Sequence, residues 1–200
     1  FEFLLMFVII SVVAYCIRHF GAHAQAGFGI GARIMQSIFL PAMAVAFAAG
    51  PVVGQNFGAK LYPRVRETFK MAALIGAGVM FTLTLLCIWR PEVLIAPFTN
   101  EADVSSVAAT YLKIMAWNFV PTGLVFACSS MFQGLGDTRP SLFASASRGL
   151  TFVAPALWLS QQPWARLEDF WHLSVASVLV QAGVALFILR LTLKRKLGPG

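Results

Sequence analysis

Charged side chains are scarce in this sequence, and their scarcity excludes a water-soluble domain. Only 12% of the 200 residues are charged, whereas 58% are hydrophobic and the mean hydropathy is +0.77. A soluble domain carries about 25% charged residues, which cover its water-facing surface. A membrane helix uses about 20 residues, so a chain of this length accommodates roughly six spans with short loops.

Cysteine and histidine are also rare, which argues against a metal centre. The three cysteines, Cys16, Cys87 and Cys128, stand singly in apolar stretches, so we interpret them as buried, unreactive thiols. His19, His23 and His172 have no cysteine or carboxylate at a compact metal-ligand spacing, and we expect them to be interfacial. The sequence therefore predicts no bound metal and no cofactor.

Catalytic motifs are absent as well. The sequence contains no Walker loop, no HExxH motif and no Ser/His/Asp arrangement. It also lacks an initiating Met: Phe1 and Glu2 begin an apolar run that has neither a basic segment nor a cleavage site of the signal-peptide type. We expect that the chain is not an enzyme and that its native N-terminus lies further upstream.

Apolar runs divide the chain, and none of them alternates as a strand would. Each run after the first is close to the length of a helix that crosses about 30 Å of hydrocarbon. The sequence therefore predicts an all-α polytopic membrane protein, a bundle of six transmembrane helices. The runs cover residues 1–17, 34–53, 69–89, 111–132, 141–159 and 173–193.

Lysine and arginine are distributed unequally between the two sides of this topology. Ten fall on one side and five on the other, and the positive-inside rule makes the richer side cytoplasmic. The richer side has Lys60, Arg64, Arg66, Lys70, Arg139, Arg148, Arg190, Lys194, Arg195 and Lys196; the other has Arg18, Arg33, Arg90, Lys113 and Arg166. We predict a multi-pass protein of the plasma (inner) membrane with a cytoplasmic C-terminus.

Tryptophan supports the same orientation, because all five fall at or near the predicted outer ends of spans, where amphipathic rings anchor at a headgroup interface. They are Trp89, Trp117, Trp158, Trp164 and Trp171. The net charge of +7 is accounted for by the charge asymmetry and by attraction to the anionic inner leaflet. Membrane lipid is therefore the expected partner, and nucleic acid is not.

Prolines inside three of the predicted spans, Pro41, Pro121 and Pro155, each remove a backbone donor and are expected to bend their helices. A kink at membrane depth requires the freed carbonyl to face protein or water. Three of them favour a movable bundle with a cavity over one packed only for structure.

Glu2 is the only acidic residue embedded in an apolar span, and a carboxylate there is costly enough to suggest a function. It would bind a coupling cation, a proton or a cationic substrate; the alternative is that it extends to the headgroups. Asn118 and Thr122 lie four residues apart beside Pro121, hence on one helix face. They would line the same cavity, or hydrogen-bond a neighbouring helix.

Two segments carry a family resemblance. Gly54-Gln55-Asn56-Phe57-Gly58-Ala59-Lys60 and Phe132-Gln133-Gly134-Leu135-Gly136-Asp137-Thr138-Arg139 resemble the multidrug and toxic compound extrusion (MATE) transporters. Ala24-Gln25-Ala26-Gly27, followed by Ile30, Arg33 and Pro41, is similar to that family's eighth helix. The spacing and topology match the C-terminal six helices of the family over nearly the whole chain.

The resemblance implies one lobe of a twelve-helix transporter whose N-terminal lobe, the expected partner, is missing here. Such a protein extrudes organic cations or drugs in exchange for H⁺ or Na⁺ by alternating access. Glu2 falls at the position of an acidic residue in the family's seventh helix that serves the cation site. Thr122 stands where those members have a second acidic residue, which leaves proton coupling, or coupling through the other lobe, open beside Na⁺.

Other functions predict different features. A lipid-linked oligosaccharide flippase of related architecture would need a basic central cavity, and Arg33 lies too close to the end of its span to provide one. A membrane-embedded enzyme would need several polar catalytic groups at one depth, where only Glu2 is charged. A structural or assembly subunit is compatible with kinked, glycine-rich helices.

Overall fold

A computed structural model describes residues 2–198, of which Glu2, Phe3, Leu5 and Met6 are described by their backbone alone. Eight α-helices and two 3₁₀ turns, Arg18–Phe20 and Ala116–Asn118, account for most of these residues, and no strand occurs among them. The helices are α1 (Glu2–Ile17), α2 (Ala22–Gly58), α3 (Tyr62–Trp89), α4 (Pro91–Ile95), α5 (Ala102–Met115), α6 (Phe119–Gly134), α7 (Arg139–Leu159) and α8 (Leu167–Leu197).

The described helices include five segments that are long and apolar enough to cross a membrane: α2, α3, α5 together with α6, α7 and α8. A shorter apolar helix covers Phe7–Phe20. The all-α polytopic fold predicted from the sequence is therefore confirmed. Large apolar side chains such as Leu74, Phe143 and Leu150 point outward, as expected of helices whose surroundings are not water.

Helix α2 is much longer than the apolar run that predicted it. It begins at Ala22 rather than at residue 34 and has 37 residues, which corresponds to about 55 Å. Its N-terminal part contains small residues that the hydropathy pattern did not mark as helical. A Cβ atom at Gly27 would approach Val107 to 2.7 Å, and one at Gly31 would collide with the ring of Tyr111. These glycines allow α5 to lie directly against α2.

The helices form two groups. In the first, α2, α3 and α6 pack against one another; in the second, α1 packs chiefly on α7, and α7 packs on α8. Helix α5 packs on α2 and so belongs to the first group, and the groups meet where α8 contacts α5 and α6 and where α7 contacts α6. Glu2, at the start of α1, therefore belongs to the same group as α7.

Trp171 departs from the interfacial position predicted for it. The other four tryptophans are exposed, but Trp171 is only 1% exposed. Its ring stacks on Phe28 at 5.6 Å between centroids and meets the edge of Tyr111 at 4.8 Å. The prediction used position along the chain, which does not reveal that the first turns of α8 face α2 and α5. Cys16, Cys87 and Cys128 are buried, as predicted.

The C-terminal end of α8 fastens the two turns that carry the resemblance motifs, at what we call the motif end of the bundle (residues 57–61 and 135–138). Lys196 Nζ donates a hydrogen bond to the carbonyl oxygen of Leu135 at 2.7 Å and lies 5.7 Å from the ring centroid of Phe57. Arg195 lies 3.8 Å from the Asp137 carboxylate. One basic helix end thus connects both motifs.

Candidate functional site

The fourth predicted span is interrupted beside Pro121. Its helix ends at Met115, passes through the 3₁₀ turn Ala116–Asn118 and resumes as α6. Pro121 has no N–H for the carbonyl of Trp117, which an unbroken α-helix would require. Pro121 therefore lies in the first turn of α6, where proline is tolerated, rather than inside one continuous helix. On α3, Thr84 Oγ1 donates a hydrogen bond to the carbonyl oxygen of Ala116 at 3.1 Å. This bond gives a backbone acceptor at the interruption a partner from another helix.

Asn118 closes this 3₁₀ turn and is only 1% exposed. Its Nδ2 atom donates to the Met115 sulfur at 3.4 Å, while its Oδ1 atom is buried with no hydrogen-bond partner among the described residues. A buried acceptor without a partner costs about 1–3 kcal/mol. Asn118 therefore presents a polar atom suited to a cation, a proton donor or water, and Thr122 lies partly buried one turn further along α6.

Pro41 and Pro155 lie inside α2 and α7, as the sequence predicted, and α2 contains a second internal proline, Pro51. Each deprives the carbonyl four residues earlier of its helical donor. A long helix with an internal proline is able to bend there without breaking further backbone hydrogen bonds.

Two interhelical contacts hold α7 against its neighbours. The Ser129 and Ser141 hydroxyls are 2.8 Å apart and join α6 to the first turn of α7. Cys16 Sγ lies 3.7 Å from the carbonyl oxygen of Ala156 and joins the end of α1 to the last turn of α7.

The side chain of Glu2 is outside the described part of the structure. The structure thus places Asn118 in the 3₁₀ turn and Thr122 in the first turns of α6, and it places the backbone of Glu2 on α1, which packs chiefly on α7.

Arg148 is a charged residue that sequence reasoning placed wrongly. It was counted with the loop charges beside Arg139, but it is the tenth residue of the 21-residue helix α7. Its Nε atom is buried without a hydrogen-bond partner among the described residues. The expectation that Glu2 alone is charged within a span is therefore wrong. The signal was available, because residue 148 lies inside the apolar run 141–159.

Two open grooves lie elsewhere. One of about 660 Å³ runs between α2 and α3 and is lined in part by Asn56, Arg64 and Glu67. The other, of about 420 Å³, lies between α2 and α6 near Gly50 and Gln133. Neither is lined by Asn118 or Thr122. The histidines His19, His23 and His172 are exposed, and no cluster of three metal-ligating side chains occurs in the described residues.

Comparison with known proteins decides the family. The MatE family model matches residues 1–158. The chain belongs to the MatE family. The multidrug export protein MepA of Staphylococcus aureus (strain MSSA476) is 23% identical over 173 residues, which are 86% of this chain and 38% of MepA.

Solved MATE structures share the fold. An outward-facing multidrug resistance MATE transporter of the MOP superfamily superposes with a TM-score of 0.90 at 20% identity, over 98% of this chain and 44% of that one. The Vibrio cholerae MATE transporter VcmN in its bent form gives 0.87 at 21% identity, over the same shares. The chain thus spans about two fifths of the length of these relatives. It is a membrane-embedded, multi-pass member of a family of multidrug efflux transporters.

Proposed function

We propose that this chain forms the C-terminal lobe of an efflux transporter that exports organic cations or drugs in exchange for H⁺ or Na⁺ by alternating access. The observation that carries the proposal is the MatE match over residues 1–158 together with a fold that covers 44% of an outward-facing MATE transporter. An N-terminal lobe is then the partner that completes the substrate path.

The described geometry supports this mechanism in three respects. The interrupted span at Ala116–Asn118 presents a buried acceptor oxygen, Asn118 Oδ1, without a partner. Internal prolines in α2 and α7 provide bending points. Glu2 begins a helix whose packing is mostly confined to α7, so α1 is able to move with few other contacts to break. Competition between a cation and a proton for Glu2 would couple their movements without covalent chemistry.

The orientation follows from charge. Lys194, Arg195 and Lys196 end α8, and we propose that this end faces the cytoplasm of the plasma membrane, where anionic lipid attracts it. The relatives that match are transporters, and we propose transport without enzyme activity. The lipid-linked oligosaccharide flippase is not favoured, because MatE is the family that matches and MepA is a multidrug exporter.

Efflux of a fluorescent organic cation tests the proposal. Cells expressing the full-length protein would be loaded with the dye and given an imposed Na⁺ gradient or pH gradient in turn. Efflux that follows one of the gradients supports an antiporter and names its ion. Absence of efflux under both gradients, with the protein present in the membrane, contradicts the proposal.

A further inference from the structure

The groove of about 660 Å³ between α2 and α3 has an apolar end and a polar end. Away from the motif end its lining includes Val45 and Ala48 of α2 with Met71 and Ile75 of α3. Met71 and Ile75 are 50% and 51% exposed, so no other helix of the lobe covers them. The volume lies within the range of small-molecule pockets, roughly 300–1,000 Å³, and this end suits an apolar occupant.

The polar end of the groove, nearest the motif end, carries one charge of each sign. Arg64 and Glu67 both line it and are exposed, and no ion pair to either is found among the described residues. The donors beside them are already used: Thr68 Oγ1 donates to the carbonyl oxygen of Arg64, and Asn56 Nδ2 donates to that of Val52, both at 2.8 Å. The guanidinium and the carboxylate are therefore the groups available to an occupant.

The length of the groove matches the depth of one membrane leaflet. Arg64 lies in the first turn of α3, and Ile75 lies eleven residues further along the same helix, about 16 Å away. Half of a hydrocarbon core of about 30 Å is about 15 Å. With Arg64 at the headgroup level, the apolar end of the groove therefore reaches about the middle of the bilayer, as an acyl chain does.

The two charges select the headgroup. Arg64 and Glu67 are three residues apart, so they are neighbours on one face of α3 with about 5–6 Å between Cβ atoms. An ethanolamine headgroup carries a phosphate, which arginine binds by two parallel hydrogen bonds, and an ammonium with three N–H donors for a carboxylate. A glycerol headgroup has the phosphate but no cation for Glu67, and a choline headgroup has a cation without N–H donors.

We propose that the groove binds one phosphatidylethanolamine molecule from the leaflet at the motif end. Its phosphate lies at Arg64, its ammonium at Glu67, and one acyl chain lies along Met71 and Ile75. The inference goes beyond efflux and does not rest on it, because lipid binding is measured on the purified protein without transport.

Native mass spectrometry of the purified full-length protein tests the headgroup assignment. Phosphatidylethanolamine, phosphatidylglycerol and phosphatidylcholine with identical acyl chains are added in turn, and the ethanolamine lipid should be retained best. Arg64→Gln should weaken its binding roughly fivefold, the contribution of one basic residue at a lipid surface. Lys70→Gln, at an exposed lysine of α3 outside the groove lining, is the matched control and should not. Glu67→Gln should remove the preference for ethanolamine over glycerol.

A second pair of variants tests the groove itself. Ala48→Trp places a large side chain in the apolar end and should lower the retention of the ethanolamine lipid, whereas Ala154→Trp, at an exposed alanine of α7, should leave it unchanged. If Ala48→Trp does not accumulate in the membrane, Ala48→Leu and Ala154→Leu give the same comparison.

Three results would overturn the inference. Equal retention of the three lipids by the unmodified protein, or equal binding by Arg64→Gln and Lys70→Gln, would show that the two charges do not recognise a headgroup. Equal retention by the Ala48 and Ala154 variants would place the lipid elsewhere. Absence of any retained lipid would show that another part of the full-length protein, such as its N-terminal lobe, covers the groove.

Discussion

Gly134 on α6 rests against Gly50 on α2: a Cβ atom at Gly134 would lie 2.7 Å from the Gly50 carbonyl oxygen and equally close to Val53. Gly134 belongs to one of the two resemblance motifs, and Gly54 of the other lies one turn from Gly50. The nearest atom is backbone, so it moves only if the whole helix moves. The motif glycines therefore hold α2 and α6 in direct contact, which is how small residues stabilise membrane helices.

Replacing Gly134 with Ala should destabilise the lobe, because the added methyl group must push α2 and α6 apart. Overpacking of this kind costs about 1–3 kcal/mol. The melting temperature of the purified full-length protein in detergent would report the loss. Gly183→Ala on α8 is the control, since nothing lies within 4 Å of its Cβ position. Equal melting temperatures for the two variants would show that the α2–α6 contact is not tight.

Asn118→Leu should separate stability from transport. The substitution removes a buried oxygen that has no partner among the described residues and replaces it with an apolar group of similar size. Stability should rise by about 1 kcal/mol or stay unchanged. Efflux of a cationic dye should fall at least about tenfold if the oxygen contacts ion or substrate, since such a bond to a charged group is worth roughly 1.5–3 kcal/mol.

The control for Asn118 is Ser177→Ala, a buried polar residue whose hydroxyl bonds only within its own helix, to Ser174. It should alter neither property appreciably. Loss of melting temperature together with efflux in Asn118→Leu would instead assign Asn118 a packing role.

Lys196→Gln should weaken the attachment of α8 to the motif end. Its ammonium group donates to Leu135 and lies over Phe57, and loss of a charged hydrogen bond costs about 1.5–3 kcal/mol. Asp137→Asn removes only the contact with Arg195, whose side chain is 73% exposed, and should cost at most about 1 kcal/mol. The melting temperatures of both variants, with the exposed Lys194→Gln as a control, rank the two losses of stability. A larger loss for Asp137→Asn than for Lys196→Gln would contradict the prediction.

Glu2→Gln in the full-length protein should abolish gradient-driven efflux, because glutamine neither binds a proton at physiological pH nor attracts a cation as a carboxylate does. Dye efflux under an imposed ion gradient is the measurement. Glu101→Gln, at an exposed glutamate before α5, should behave as the unmodified protein. Normal efflux from the Glu2 variant would remove Glu2 from the coupling mechanism.

Hydropathy predicted which segments are helices. In a membrane the backbone N–H and C=O groups of a long apolar run have no water to bind, and a helix pairs them within the same segment. It failed at residues 22–33, where the helix is stabilised by close packing on α5 rather than by hydrophobicity. Composition records how apolar a residue is, whereas the contact at Gly31 depends on the shape of Tyr111, which folds against it from a distant part of the chain.

The site was harder to predict than the spans, for a physical reason. Asn118 and Thr122 stay predicted site residues, chosen because a spacing of four places them on one face of a continuous helix, and the structure interrupts that helix at Asn118. The contact between the Ser129 and Ser141 hydroxyls joins α6 to α7, and it depends on how the two helices are offset, which the sequence does not reveal. Trp171 shows the same limit, since its burial follows from the angle of α8 and not from its place in the sequence.

The division of the bundle into two helix groups has a mechanical consequence. Since α1 packs chiefly on α7, a displacement of α7 carries α1 along, while α2, α3 and α6 are fastened to one another through their glycines. The backbone of Glu2 would therefore shift whenever α7 does, so a change at the packing surface of α7 is able to reach the acidic residue without touching it.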